Sequence, residues 1–557
     1  MNAERLLARY EQIADAPDAI SRLRRFILDL AVRGKLVPQD LSDEPASELL
    51  KRIAAEKARL VKAREIRTPK QIPALLEAPF SIPSNWLWSQ LADVGFLSPR
   101  NEAPDAFEAS FVPMPLISSE YGVANRHAIR PWGEIKKGYT HFAEGDVGLA
   151  KITPCFENGK SAVFRRLSGG IGAGTTELHI VRPLFVDPDY ILLFLKCPHF
   201  IETGIPRMTG TAGQKRVPTD YFANSPFPLP PLGEQRRIVA KVDELMALCD
   251  RLEAARAERE ATRDRLAASS LARLNAPDSG TFQADARFVL NALPILTTRP
   301  DQIKKIRQTV LNLAVRGKLV PQDQSDEPAE ELLKRIAKEK ARLDRRERTK
   351  RESRNVPGTT EPTELPKGWT TAPLSDLVTI LNGRAYKQHE LLGRGTPVLR
   401  VGNLFTSDKW YYSDLQLDDD KYCSKGDLIF AWSASFGPFI WQGERVIYHY
   451  HIWKLPLHSE ADLHKYYLYN FLLHKTREIK EAGHGMSMIH MTKEKMELLQ
   501  VPLPPLEEQR RIVAKVDELM ALCDQLEASL TDTAAARRRL LDALLADALV
   551  ASEPIAA

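Results

Sequence analysis

Two stretches of the chain have the residue types of a reactive site. "GGIGAGTTE" (169–177) is as rich in glycine as a phosphate-cradling loop, but it has no lysine to reach a phosphate and reads as a turn. His449 and His451 alternate as two side chains on one face of a strand do, but no cysteine or carboxylate cluster completes a metal site, so they read as a satisfied polar pair. The chain has no Gly-x4-Gly-Lys-Ser/Thr loop, no strand–Gly-x-Gly-x-x-Gly–helix unit, no Gly-x-Ser-x-Gly elbow and no Asn/Asp-Pro-Pro-aromatic run. These absences predict a binding protein that is not an enzyme and has no metal and no cofactor of its own.

The chemistry that remains is that of nucleic-acid contact. "RMTGTAGQKRV" (207–217) sets Arg207, Thr211, Gln214, Lys215 and Arg216 among small residues, with Gly213 letting backbone approach a ligand closely. Glutamine can pair with an adenine edge. Lys151, in "EGDVGLAKITP" (144–154), is a further candidate. Later, "LNGRAYK" (381–387) offers Arg384, Tyr386 and Lys387, and "LRVGN" (399–403) offers Arg400 and Asn403. "GHGMSMIH" (483–490), at the place that corresponds to 207–217, adds His484, Ser487 and His490. Two basic runs, 51–70 and 334–354, are either solvated helix faces or phosphate contacts, since acids are interspersed.

What positions these residues is a repeat within a repeat. "LAVRGKLVPQD" stands at Leu30–Asp40 and again at Leu313–Asp323. Residues 31–60 and 314–343 differ at only three places, and 228–254 and 502–528 at only two. Between these blocks, 87–225 and 370–500 share only a faint plan: Trp86 answers Trp369, Asp93 answers Asp376, and "EGDVGLAKITP" loosely answers "KGDLIFAWSAS" (425–435). The offset between copies falls from 283 to 274, so the second divergent block is nine residues shorter. Near-identity beside wide divergence fits two copies of one interface that carry two different binding surfaces.

The 557 residues carry 78 basic and 73 acidic side chains, a net charge of +5 that is too small to name a nucleic-acid partner by itself. The five cysteines are scattered without a CxxC pair, which fits a reducing cytoplasm, and no apolar run is long enough for a membrane span. The repeated "PLPP" segments are extended. After them Ile238, Val242, Leu245 and Leu252, and Ile512, Val516, Leu519 and Leu526, follow heptad spacing in proline-free runs of about 40 residues, long enough for rods of roughly 60 Å. We expect these two seams to pair with each other, antiparallel. Helices over 20–31 and 303–314 should close at Gly34 and Gly317, and Ser42 and Ser325 can cap the helices that follow. The divergent blocks alternate short β-type runs such as 427–432 and 397–404 with glycine turns, and carry helices near 189–195 and 465–473.

This plan closely resembles the DNA-specificity subunit of type I restriction–modification systems. The resemblance implies an α+β fold in which two globular target-recognition domains are joined by long antiparallel paired helices, as a pseudo-two-fold internal repeat. It implies domains at 1–79 (helical block), 80–226 (recognition domain), 227–275 (long helix), 276–363 (joining segment and second helical block), 364–500 (recognition domain) and 501–557 (long helix and tail). It further implies that each recognition domain reads one half of a bipartite asymmetric site in double-stranded DNA, while the helices set the spacer. Two modification subunits bring S-adenosylmethionine-dependent adenine methylation, and two restriction subunits bring ATP-driven translocation and cleavage. The competing reading is an assembly scaffold that reads no DNA. Against it stands the divergence of the two blocks, which a scaffold does not require.

Overall fold

The computed structural model describes residues 16, 18–66, 68, 73, 75, 77–211, 213–275, 280–346, 365–433, 436–482 and 491–550. It is mixed α+β with two sheet-containing domains, and its contacts divide it into two compact units, Met1–Arg259 with Thr533–Ala557, and Glu260–Asp532.

In the first unit, helix α1 (Ala19–Val32) ends in a backbone-bonded turn. The Lys35 amide donates to the Leu30 carbonyl (3.1 Å) and the Gly34 amide to the Ala31 carbonyl (3.5 Å), with Gly34 at φ +69°. Only glycine takes this conformation cheaply, and here a Cβ would also strike Pro83. Helix α2 follows at Ala46–Lys62. Pro45 is its N-cap, and the expected Ser42 cap is not made. Ser42 sits three residues too early and donates instead to Asp40 Oδ1 (2.6 Å).

Ten strands come next: β1 (Leu87–Gln90), β2 (Gly95–Leu97), β3 (Glu108–Val112), β4 (Ala128–Pro131), β5 (Thr140–Ala143), β6 (Val147–Ala150), β7 (Ser161–Val163), β8 (Ile171–Gly174), β9 (Leu178–Pro183) and β10 (Pro226–Leu229). They form sheets of order β2-β9-β6-β7 and β4-β3-β8-β5, and a β1-β10 pair that ties the domain's two ends together. All pairings are antiparallel except β3 with β8. Helix α3 (Pro188–Lys196) backs this domain, where 189–195 was expected to be helical. The 44-residue helix α4 (Leu232–Asn275) starts directly after "PLPP", and its residues from Glu260 belong to the second unit.

The second unit adds helix α5 (Phe282–Leu296) and then repeats the plan. Helix α6 (Pro300–Val315) closes with the same turn at Gly317, φ +65°, where the Lys318 amide donates to the Leu313 carbonyl (2.9 Å). Helix α7 (Ala329–Arg346) begins without the expected Ser325 cap, because it starts only after Pro328 and Ser325 stands too early; the Ser325 hydroxyl donates to Asp323 Oδ1 (2.7 Å). Strands β11 (Thr370–Pro373), β12 (Leu381–Asn382), β13 (Thr396–Leu399), β14 (Tyr411–Ser413), β15 (Tyr422–Cys423), β16 (Leu428–Ala431), β17 (Gly437–Ile440), β18 (Val446–Tyr448), β19 (Ile452–Lys454) and β20 (Gln500–Leu503) follow. Their order, β12-β19-β16-β17, β14-β13-β18-β15 and β11-β20, reproduces the first domain strand for strand. Again one pairing is parallel, β13 with β18. The expected strand run 397–404 is shorter than its composition suggests: it ends at Leu399 and turns into a short helix, Val401–Phe405. Helix α8 (Lys465–Ala482) covers the segment expected at 465–473, and α9 (Leu506–Val550) is the second long helix, 45 residues.

The repeated letters build one junction twice. In the first unit Gln39 Nε2 donates to Glu234 Oε1 (2.7 Å), Arg237 pairs with Asp43 (2.6 Å), and the Tyr190 hydroxyl donates to the Pro228 carbonyl (3.0 Å). In the second, Gln322 Nε2 donates to Glu508 Oε1 (3.1 Å), Arg511 pairs with Asp326 (2.6 Å), and the Tyr467 hydroxyl donates to the Pro502 carbonyl (2.6 Å). Burial pushes both Glu234 and Glu508 above the usual carboxylate range. "LVPQD…SD" and "EQRR" recur because they fasten each sheet domain and its helical block to the start of a long helix.

The seam residues lie in these junctions. Ile238 and Val242, with Leu245 and Leu252 packed alongside, share the core that holds α1, Trp86 and Tyr190. Ile512, Val516 and Leu519 share a core with Val310 and Ala314 of α6, Trp369 and Tyr467. Leu526 is half-buried. The first part of each seam is thus covered from within its own unit, by the neighbouring repeated helix. Farther along α9, Leu541 and Leu545 join the first unit's core, where Asp542 pairs with Arg22. The end of α4 (Ala267, Leu271, Leu274) packs with α5 in the second unit. Each long helix therefore begins in one unit and ends in the core of the other.

Candidate nucleic-acid interface

Strand order makes positions in the two domains equivalent even where their letters differ. Lys151 directly follows β6, and Trp432 directly follows β16. Thr175–Glu177 join β8 to β9, and His449–His451 join β18 to β19. At these matched places the domains carry different chemistry.

In the first domain the place is polar. Arg216 holds Glu177 with two bonds, Nε to Oε2 and Nη2 to Oε1, both 2.9 Å, and this pairing keeps the Glu177 carboxyl below its usual range. Lys151 lies close enough to add to the effect. The Lys151 carbonyl accepts from the Val217 amide (2.8 Å), and the Thr153 amide donates to the Lys215 carbonyl (2.9 Å). These bonds anchor a hairpin whose sides join where Thr209 and Arg216 exchange backbone bonds of 3.0 and 2.8 Å. At its tip Gly210 and Gly213 take positive φ, and Thr211, Gly213, Gln214 and Lys215 are exposed. Arg207 is exposed at the hairpin's entry. The structure thus gathers Lys151, residues 207–211 and residues 213–216 on one surface, with Arg216 as a strut and Gln214 and Lys215 presented to solvent.

The matched place in the second domain is aromatic and cationic. Trp432 lies 5.1 Å, ring to ring, from His451 and 5.6 Å from Trp453, and its Nε1 donates to the Tyr450 carbonyl (2.8 Å). The His449 and His451 rings are 4.8 Å apart. Burial, with His451 and Arg400 nearby, pulls His449 down to about 4, so it is neutral near pH 7. Against this wall lies the β13–β14 loop, and between them is a cleft of about 310 Å³. Arg400 and Lys409 flank the Tyr411 ring at 5.0 and 5.2 Å.

The other expected readers divide by what they touch. Arg384 forks onto Glu390 (2.7 and 3.0 Å), which is held down at about 2, and it lies over the Tyr386 ring at 5.3 Å. The Lys387 amide donates to the same carboxylate (2.8 Å). Asn403 staples its own loop: Oδ1 accepts from the Arg400 amide (3.1 Å), and Nδ2 donates to the carbonyls of Ser407 (3.2 Å) and Lys409 (3.0 Å). His484, Ser487 and His490 lie outside the described residues. Sequence reasoning passed over Ser407, Lys409, Tyr411 and Trp432 and set His449 and His451 aside. For Trp432 the signal is the match of "KGDLIFAW" to "EGDVGLAK", which makes it the equivalent of Lys151.

Among the described residues no helix is long and apolar enough to cross a membrane, and no group of three metal-ligating side chains forms. The family model for the type I restriction modification DNA specificity domain matches residues 366–534. The chain is 39% identical to the type I restriction enzyme EcoAI specificity subunit of Escherichia coli, over 94% of this chain and 93% of that one. It is 37% identical to the EcoEI specificity subunit of Escherichia coli, over 95% and 94%. A solved structure described as the "structural basis underlying complex assembly and conformational transition of the type I R-M system" shares the fold, with a TM-score of 0.52 and 20% identity over 84% of this chain and 99% of that one. The chain belongs to the family of type I restriction enzyme specificity subunits, non-catalytic proteins that carry DNA-sequence specificity.

Proposed function

We propose that the chain reads a split, asymmetric site in double-stranded DNA, one half with the domain at 80–226 and the other with the domain at 364–500. The observation that carries this reading is the pairing of one strand plan with two unlike surfaces. Equivalent places present Lys151 and Glu177, the latter held by Arg216, in one domain and Trp432, His449 and His451 in the other. A scaffold that only assembled partners would need no such contrast. The long helices at 227–275 and 501–557 set the unread spacer, and the helical blocks at 1–79 and 276–363 complete the repeat. Two modification subunits dock on the repeated segments and supply methylation, and two restriction subunits complete the complex, in the cytoplasm.

Selection from a randomised duplex pool, with the full chain assembled with its modification subunits, tests this. Enrichment of two short defined sequences separated by a fixed unread gap is expected. Recovery of no bipartite sequence would leave the assembly-scaffold reading in its place.

A further inference from the structure

The second domain's cleft differs from the surrounding surface in its hydrogen-bonding balance. Its wall includes Arg400, Ser407, Lys409, Tyr411, His449 and His451, and no carboxylate lines it. Its acceptors are largely committed to the loop itself. Asn403 Oδ1 takes the Arg400 amide, Ser407 Oγ takes the Lys409 amide (3.2 Å), and the carbonyls of Ser407 and Lys409 take the Asn403 amide. The Arg400 guanidinium, by contrast, is exposed at the mouth and has no ion-pair partner among the described residues. It lies over the Tyr411 ring at 5.0 Å, a contact that limits its freedom. Arg384 and Arg216 are unlike it, because each spends its fork on a carboxylate.

A donor-rich, acceptor-poor cleft discriminates among bases. Cytosine N4 and adenine N6 are donors in the major groove and need an acceptor opposite them, whereas guanine offers two acceptors, O6 and N7, spaced for a guanidinium. We infer that this cleft reads a guanine in the half-site of the second domain, with the Arg400 fork donating to O6 and N7, Lys409 meeting an adjoining phosphate, and Asn403 positioning the loop. The inference rests on the proposed DNA reading and names the base and the side chain that the reading leaves open. A neutral His449 beside Arg400 adds no competing positive charge there.

The test compares selected sequences for the wild-type chain, Arg400→Ala, Arg400→Lys and Lys409→Ala, each assembled with its modification subunits, alongside the salt dependence of binding. A guanine is expected at one position of the wild-type half-site that changes when residues 364–500 are exchanged. Arg400→Ala should lose preference at that position by about tenfold to a hundredfold, with the other half-site unchanged. Arg400→Lys should keep the salt dependence and still lose the preference, because a point charge lacks the fork. Lys409→Ala should weaken all sequences alike and lower the salt slope by about one. If Arg400→Ala instead weakens all sequences alike and lowers the salt slope, Arg400 meets phosphate and the guanine assignment is overturned. An unchanged selected site, or a half-site without guanine, overturns it too. Any of these leaves the bipartite reading standing, whereas a wild-type chain that selects no bipartite sequence removes that reading itself. Arg400→Lys, matched to wild type in thermal melting, guards against a loss of fold.

Discussion

Replacing Glu508 by alanine removes a carboxylate from the most repeated part of the molecule. Glu508 is 1% exposed and Trp369 7% exposed, so neither group can turn to water. Glu508 Oε2 accepts from Trp369 Nε1 (3.0 Å) and Oε1 from Gln322 Nε2 (3.1 Å). Gln322 keeps a partner in the Gly317 carbonyl (2.6 Å), and Arg511 keeps Asp326, so the indole N–H is the donor left stranded. A stranded buried donor costs about 1–3 kcal/mol. Relief of the buried charge offsets part of this, since burial is what pushes Glu508 upward. The net loss should be about 1–2 kcal/mol, a fall in melting temperature on the order of 5 °C for a unit of this size. Glu508→Gln should be milder, because its amide oxygen still accepts from Trp369 and the Gln322 amide can turn. The pH dependence has a definite sign. A carboxyl whose folded pKa is raised binds its proton more tightly when folded, so stability falls as pH rises past the ordinary value of about 4.3. Glu508→Gln should remove that decline, as calorimetry at a series of pH values would register. A Glu508→Ala chain that melts with wild type, or one more stable than Glu508→Gln at pH 7, would refute the reasoning.

Two further outcomes follow from the same geometry. Gly317→Ala forces a side chain to φ +65° and brings its Cβ to 2.5 Å from Pro366 Cγ and 2.9 Å from Trp369 Cζ2. It should cost more than about 2 kcal/mol in denaturant titration, with Gly34→Ala costing a similar amount. His449 is held at about 4, below the ordinary histidine value, so the folded state resists its protonation. Stability should therefore fall as pH drops from about 6.5 toward 4, and His449→Phe should flatten that part of the melting-temperature profile while DNA affinity between pH 6.5 and 8 stays independent of this titration.

What could be read in the letters alone was whatever the chain repeats or forbids. Glycine at 34 and 317 announced a left-handed helix end, "PLPP" announced the break before each long helix, and the lack of interior proline gave those helices their length. Ser42 and Ser325 misled because a proline three residues on, Pro45 or Pro328, fixes the helix start farther along, and their hydroxyls donate instead to Asp40 and Asp323. The heptad seams looked as if they served only one another. A seam's spacing names an apolar face but not what covers it, and much of the cover is the repeated neighbouring helix. For the site, residue type found the right loops but ranked their side chains poorly. Arg216 is committed to Glu177, 39 residues earlier, Arg384 to the nearby carboxylate of Glu390, and Asn403 to carbonyls of its own loop. Lys409 and Tyr411 gain their meaning only from strand order, which sets the β13–β14 loop against the β18–β19 turn around one cleft, and Trp432 from its packing against that turn.

The most direct measurement of the central claim is an exchange of residues 364–500 for the matching domain of another family member, followed by selection from randomised duplexes with the modification subunits present. One half of the selected site should change to that of the donor, while the other half stays as in the parent chain. A change in both halves, or in neither, would contradict the assignment of one half-site to each domain.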